Sequence, residues 1–190
     1  VKRIVGEIIV VDENSTDRTR EIAKKFGAKV YNVKHEPIFH KTKQKAIDRA
    51  SGDWVLQLDA DERATPELAN EITEVIYSKN EELLNRILRR PERIKGVEGY
   101  RDEKIKLFSR HQKLIEARDG KIGKVTGEVV AFFIPRLNYF LKKPLIHAGV
   151  YPDASIRLVK KDMARFPSKS VHEVMEVEGE VAWLFNDLEH

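Results

Sequence analysis

Two short apolar runs, each ending in a cluster of acids, limit what this chain can fold into. The first is Ile8-Ile9-Val10-Val11 followed by Asp12-Glu13. The second is Trp54-Val55-Leu56-Gln57-Leu58 followed by Asp59-Ala60-Asp61-Glu62. Short aliphatic runs suit strands buried on both faces of a parallel sheet. Helical patterns lie between them, which predicts β-α-β connections and parallel strands. In such sheets the carboxyl ends of the strands open on the ligand crevice. Both clusters are therefore expected to face one site. Carboxylates gathered in a crevice suit a divalent cation, and the cation usually brings phosphate oxygens.

The remaining pattern extends this order. Residues 7–12 read as a strand. Asn14-Ser15-Thr16-Asp17 offers N-caps for a helix with the apolar stripe Ile22, Ala23 and Phe26, and Gly27 suits its stop. Residues 28–33 read as a strand, 41–50 as a helix and 53–58 as the second buried strand. Thr65 caps a helix with Pro66 at its first position and Leu68, Ile72, Val75 and Ile76 on its buried face. Residues 79–125 are highly charged and read as an insertion. Within it Leu83, Leu84, Ile87 and Leu88 mark a helix ended by Pro91, while Ile105, Leu107, Phe108, Leu114 and Ile115 fit helix and strand equally. Residues 156–159, 171–177 and 181–185 read as late strands, with Gly179 in a hairpin turn.

With 190 residues the chain is long enough for one domain with a real core. It has no cysteine, which excludes disulfides, thiolate metal sites and a Cys nucleophile. Its net charge of +4 is too small to argue for nucleic acid, so no nucleic-acid partner is expected. That charge is compatible with phosphate ligands or an anionic membrane surface. No apolar run reaches the roughly 18 residues of a transmembrane helix, and no signal peptide is visible. The start at Val1, rather than at an initiator Met, suggests a chain beginning inside a larger protein.

Particular residues carry the expected chemistry. Asp59 and Asp61, two apart at a strand end, place both carboxylates on one side, where they suit magnesium or manganese (Mg2+ or Mn2+) shared with a diphosphate. The plain alternative is an acidic turn before a helix. Asp12 can accept a uracil imide or a ribose hydroxyl, or simply cap its own turn. Among Lys41, Lys43 and Lys45, Lys43 is the favoured phosphate contact. The pair His172-Glu173 offers a general base and a metal ligand, or only a strand His and a surface Glu. The aromatic, basic stretch 132–151 (Phe132, Phe133, Arg136, Tyr139, Phe140, Lys142, Lys143, Tyr151) suits an acceptor groove or a membrane-facing edge.

The run Glu7-Ile8-Ile9-Val10-Val11-Asp12-Glu13-Asn14-Ser15-Thr16-Asp17-Arg18-Thr19 resembles the second-strand motif of family 2 glycosyltransferases. Ala50-Ser51-Gly52-Asp53-Trp54-Val55-Leu56-Gln57-Leu58-Asp59-Ala60-Asp61-Glu62 resembles their metal-binding motif. Tyr151-Pro152-Asp153, Ile156-Arg157-Leu158 and Val171-His172-Glu173 resemble the branch containing lipopolysaccharide core glucosyltransferases. The resemblance implies an α/β glycosyltransferase-A fold: a Rossmann-like, mostly parallel sheet flanked by helices, with a late antiparallel β portion. It implies one domain over 1–190, with a nucleotide-sugar half (1–78), the charged insertion (79–125) and an acceptor-side half (126–190). It also implies an inverting transfer from a nucleoside-diphosphate sugar, commonly a UDP-sugar, to a lipid-linked or cell-envelope glycan acceptor. The expected setting is cytoplasmic, with peripheral contact at the inner membrane face.

By position, Asp12, Glu13, Lys43, Asp59 and Arg157 are the donor-binding candidates. Asp59, Asp61, His172 and His190 are the metal candidates, and Asp153 and Glu173 the catalytic carboxylates. The family's first-strand motif is absent, so the central sheet is expected to lack a strand, and these 190 residues alone are expected to turn over weakly or not at all. Two rivals remain. A nucleotidyltransferase would share the sheet, metal and nucleotide but normally carries a Gly-rich phosphate loop. A non-catalytic nucleotide-sugar-binding or membrane-docking module would bind without turnover.

Overall fold

Val129-Val130-Ala131-Phe132-Phe133-Ile134 is buried at every position and forms the strand around which the protein is built. The structure is a computed structural model describing residues 4–87, 100–147, 149–167 and 174–190. We call this strand β5. It pairs in parallel with β12 (Glu180–Trp183) on one edge and antiparallel with β9 (Ser155–Lys160) on the other. β9 in turn pairs antiparallel with β3 (Trp54–Leu56), giving the order β12-β5-β9-β3. Side chains alternate across β5, so Phe132 and Ile134 face one layer and Phe133 the other.

Each face has its own helix. On the first, α3 (Pro66–Tyr77) buries Leu68, Ile72 and Val75 against Phe132, Leu158 and Leu184. Its start follows the sequence expectation: Pro66 leads the helix, and the Thr65 hydroxyl accepts the Leu68 N–H at 3.1 Å. On the second face lies α5 (Tyr100–Asp119), which resolves the helix-or-strand ambiguity at Ile105 to Ile115. Its Phe108 is fully buried and stacks on Trp183, with centroids 4.6 Å apart; Trp183 stacks also on Phe133 at 4.8 Å. The Trp183 indole N–H donates to buried Gln112 at 2.9 Å. The charged stretch 79–125 thus supplies the core with Phe108, with Leu83 from α4 (Asn80–Leu84), and with Ile87 and Ile122.

The amino-terminal part is a separate parallel pair, β1 (Ile9–Asp12) with β2 (Lys29–Asn32). Between them runs α1 (Thr19–Lys25), and α2 (Phe39–Asp48) follows. Among the described residues β1 pairs only with β2 and β3 only with β9. A cavity of about 940 Å³ is lined by Ile9, Val10 and Val11 of the first strand and Trp54, Val55 and Leu56 of the second.

Several expectations need correction. The main sheet is mixed rather than mostly parallel, because β9 inserts antiparallel between β3 and β5. The stripe on α1 is not a core face: that helix buries no residue, and Ile22 and Phe26 are exposed, since only the outlying β1–β2 pair lies behind it. Gly179 is not the turn of a hairpin between the last strands. β11 (Glu176–Val177) pairs with β10 (Ala164–Arg165), whereas β12 pairs with β5. Gly179 is instead a close approach, for a Cβ there would sit 2.7 Å from Val130 Cγ2 and 3.0 Å from the Glu128 carbonyl oxygen. The aromatic stretch 132–151 is also divided, with Phe132 and Phe133 in the core and Phe140 exposed. Leu88 and Pro91, and much of the strand expected over 171–177, lie outside the described residues.

Candidate active site

A second, three-stranded sheet assembles the acidic site. β4 (Arg63–Ala64) directly follows the acidic run 59–62. It pairs antiparallel with β13 (Leu188–Glu189), which pairs in parallel with β6 (Arg136–Leu137). Leu188 is fully buried at its centre. This small sheet brings together Asp61, Arg136 and His190 from three distant parts of the chain.

Asp59 is held by three side chains. It meets Lys43 Nζ at 2.7 Å (Oδ1) and Arg157 Nη2 at 2.9 Å (Oδ2), and Gln57 Nε2 donates to it at 3.2 Å. Burial alone would raise its pKa. The Lys43 hydrogen bond and the Arg157 charge outweigh burial and hold it at about 2. Glu62, with no exposed side-chain surface, supports this arrangement from below. It accepts the Asp59 backbone N–H at 2.8 Å and is ion-paired with Arg157 and, at 3.3 Å, with Arg136. Gln57 accepts a further hydrogen bond from Arg157.

Asp61 is separate and open. Its side chain is 71% exposed, and His190 Nε2 lies 3.3 Å away. The other ring nitrogen, Nδ1, is 2.6 Å from the Asn138 side-chain oxygen. Asn138 Nδ2 donates to Asp153 Oδ2 at 2.7 Å, and Arg136 holds the same oxygen at 2.7 and 3.1 Å. A chain of contacts thus runs Asp61–His190–Asn138–Asp153–Arg136.

The first acidic cluster meets the second through α2. Thr42 donates to Glu13 while its neighbour Lys43 reaches Asp59. Glu13 is also 2.6 Å from His35 Nδ1. The Thr42 hydroxyl above all, with His35, holds its pKa below the usual carboxylate range against the opposing effect of burial. Asp12 is buried, and its carboxylate turns back on its own loop. It accepts the Ser15 N–H at 3.0 Å and lies 3.7 Å from Arg20, which fits the turn-acid alternative. Of the three lysines, Lys45 pairs with Glu36 at 2.6 Å and Lys43 is the one that reaches the site.

A smaller cavity of about 330 Å³ is lined by Arg136, Ser155, Arg157 and Phe166 among others. Lys43, Gln57 and Asp59 line both cavities and mark where they meet. Asp12, Glu13 and Asp61 line neither. His172 and Glu173 lie outside the described residues. Among the described residues no three His, Asp or Glu side chains form a ready ligand cluster. Asp59 already neutralises Lys43 and Arg157. Asp61 and His190 do fit, as an exposed carboxylate and an imidazole able to hold a cation that takes its remaining oxygens from a diphosphate.

Sequence reasoning gave no individual role to Glu62, read only as part of the acidic cluster, to Gln57, or to Arg136 and Asn138, read only as part of the stretch suited to an acceptor groove. Arg136 carried a usable signal: like the two acidic clusters, it stands just past an apolar run, after Ile134-Pro135. Glu62 and Gln57 flank the chosen aspartates, but nothing in the sequence says that their side chains turn inward to Arg157.

The family model for Glycosyl transferase family 2 matches residues 5–93. An uncharacterized glycosyltransferase of Rickettsia typhi is 38% identical over 130 residues, covering 68% of this chain and 42% of that protein. One from Rickettsia conorii is 44% identical over 82 residues, 43% of this chain and 29% of its own. A TPR repeat-containing protein of Synechococcus elongatus is 43% identical over 72 residues, 38% of this chain and 18% of its own. The chain spans less than half the length of these curated relatives.

Proposed function

The chain belongs to glycosyl transferase family 2, and from that premise we propose that its site moves a sugar from a nucleoside-diphosphate sugar, a UDP-sugar in the first instance, to a hydroxyl of a lipid-linked or cell-envelope glycan. The observation that carries this reading is the meeting of Lys43, Asp59 and Arg157 at the exit of β3, beside the Asp61–His190 pair. Two cations and two acids there match the needs of a metal-bound diphosphate.

Lys43 and Arg157 would bind the diphosphate oxygens in exchange for Asp59, and Asp59, Asp61 and His190 are the residues that would hold magnesium or manganese. The bound cation supplies neutralisation of charge on the leaving nucleoside diphosphate. Glu62 keeps Arg157 and the Asp59 backbone in place during this exchange. The transfer is a single displacement: the acceptor oxygen bonds to the anomeric carbon, the bond to the diphosphate oxygen breaks, and the acceptor proton passes to a carboxylate. Asp153 and Glu173 are the two candidates for that base. Asp153 Oδ2 is held by Arg136 and Asn138, and Oδ1 accepts no hydrogen bond among the described residues.

Calorimetric titration of UDP with manganese tests the donor site. Metal-dependent binding is expected for the native chain and loss of it for Asp59→Ala with Asp61→Ala. Failure of both UDP and GDP to bind, with or without manganese, would sink the reading. Where transfer is measurable, Asp153→Asn and Glu173→Gln assign the base by which of them abolishes turnover while leaving UDP binding intact.

A further inference from the structure

Beyond the donor site, we propose that the hairpin of β7 (Tyr139–Phe140) and β8 (Lys143–Pro144) inserts into an anionic lipid surface. The two strands pair antiparallel, with Tyr139 opposite Pro144 and Phe140 opposite Lys143. They are joined by a two-residue turn, Leu141-Lys142. Both turn residues have positive φ, 48° and 63°. Such turns ordinarily carry Asn-Gly, because other side chains are strained there. Here the strained position holds a leucine that is 80% exposed. Strain of this kind persists where the surrounding structure imposes it, and it clusters at functional sites.

The rest of the hairpin has the same character. Phe140 is 65% and Ile146 51% exposed, and Tyr139 and Leu145 also stand in solvent. Contiguous exposed apolar side chains on a monomer mark an interaction surface. Lys142 and Lys143 are exposed at the tip, and neither pairs with a carboxylate among the described residues. Apolar side chains with lysines beside them match a membrane interface: the rings and aliphatic groups enter the acyl boundary while the lysines meet anionic headgroups. The complementary charge favours this occupant over a second copy of the chain, which would bring like-charged lysines together. No described helix is long and apolar enough to cross a membrane.

The base of the hairpin is continuous with the acidic site. The Tyr139 N–H donates to the His190 carbonyl at 2.8 Å, and the Leu145 N–H donates to the carbonyl of Asn138, whose side chain touches His190 and Asp153. Docking of the tip therefore holds the acidic site beside the headgroups. That this brings a lipid-linked acceptor within reach rests on the proposed function; lipid binding itself does not.

Co-sedimentation of the 190-residue chain with vesicles separates these points. Vesicles of phosphatidylcholine with phosphatidylglycerol are expected to bind the protein, and phosphatidylcholine alone to bind it far more weakly. Lys142→Glu with Lys143→Glu should weaken binding by at least about five-fold per lysine. Phe140→Ser with Leu141→Gly should weaken it by ten-fold or more. Glycine relieves the positive φ at 141, so this variant is expected to keep its thermal midpoint and its UDP titration. Absence of binding to anionic vesicles, or binding unchanged in both variants, overturns the proposal. So does loss of self-association in the Phe140/Leu141 variant without any vesicle binding, which would make the hairpin a contact between copies. The UDP titration is made without lipid, so failure of the donor site and failure of the hairpin are read apart.

Discussion

β5 and β1 both begin as short aliphatic runs in the sequence and are opposite as structures. Val129–Ile134 is buried at all six positions, between α3 on one face and α5 on the other. In Ile9–Asp12 the three aliphatic residues are half-buried, and the fully buried residue is the aspartate. β5 has a paired strand on each edge, whereas β1 has β2 on one edge and borders the 940 Å³ cavity. Burial is therefore conferred by what packs around a strand, not by the strand's own hydrophobicity. One region of the molecule is a packed core; the other is an apolar frame around an open space.

The largest expected effect tests that difference directly. Phe132→Ala should destabilise the protein by about 3–5 kcal/mol, the range for emptying a fully packed aromatic site. Val10→Ala, which removes side-chain volume beside an existing cavity, should cost about 1 kcal/mol or less. Chemical denaturation of both variants measures this. Equal losses would mean that the two regions are equally packed and would break the comparison. Amide exchange should agree, with β1 exchanging well before β5.

A smaller effect concerns the joint between the regions. Asp59 connects Lys43 on α2, beside β1, to Arg157 on β9, inside the core sheet. Its pKa is lowered from 3.8 to about 2, so its contribution is fully present above about pH 4 and is lost as the pH falls through about 2. With the side chain 32% exposed, solvent screening limits this to about 2 kcal/mol at most. Acid should therefore loosen the β1–β2–α2 region before the core. Asp59→Asn should remove that part of the pH dependence, and a variant with an unchanged acid limb would show that the joint lies elsewhere.

The smallest effect belongs to the core side alone. Thr65→Ala removes the one side-chain cap seen on α3 and should cost about 1 kcal/mol, read as a lower thermal midpoint. Asp17 lies in the loop before α1, the helix that buries nothing, and accepts the Thr19 N–H at 2.9 Å. Asp17→Ala should change the midpoint by much less, because global stability depends little on a helix that can fray locally.

The sequence by itself determined the local order. The strands around 9–12 and 54–56, the Thr65-Pro66 helix start and the acidic strand ends are written in short-range patterns of apolar residues, caps and turn formers, whereas the central strand 129–134 was legible only as part of an aromatic stretch. The Asp59–Asp61 pair was legible for the same reason, as acids just past a strand, and Lys43 as one of a cluster of lysines on the helix that precedes it. The tertiary structure alone decided which strands became neighbours. β9 lies between β3 and β5, so Arg157 reaches Gln57, Asp59 and Glu62. β13 lies between β4 and β6, so His190 meets Asp61 and Asn138. No periodicity encodes such pairings, because they join residues far apart in the chain, from 52 positions for His190–Asn138 to 129 for His190–Asp61. Their order is fixed by the competition of all strands for the same buried surface, which is settled only when the whole chain packs.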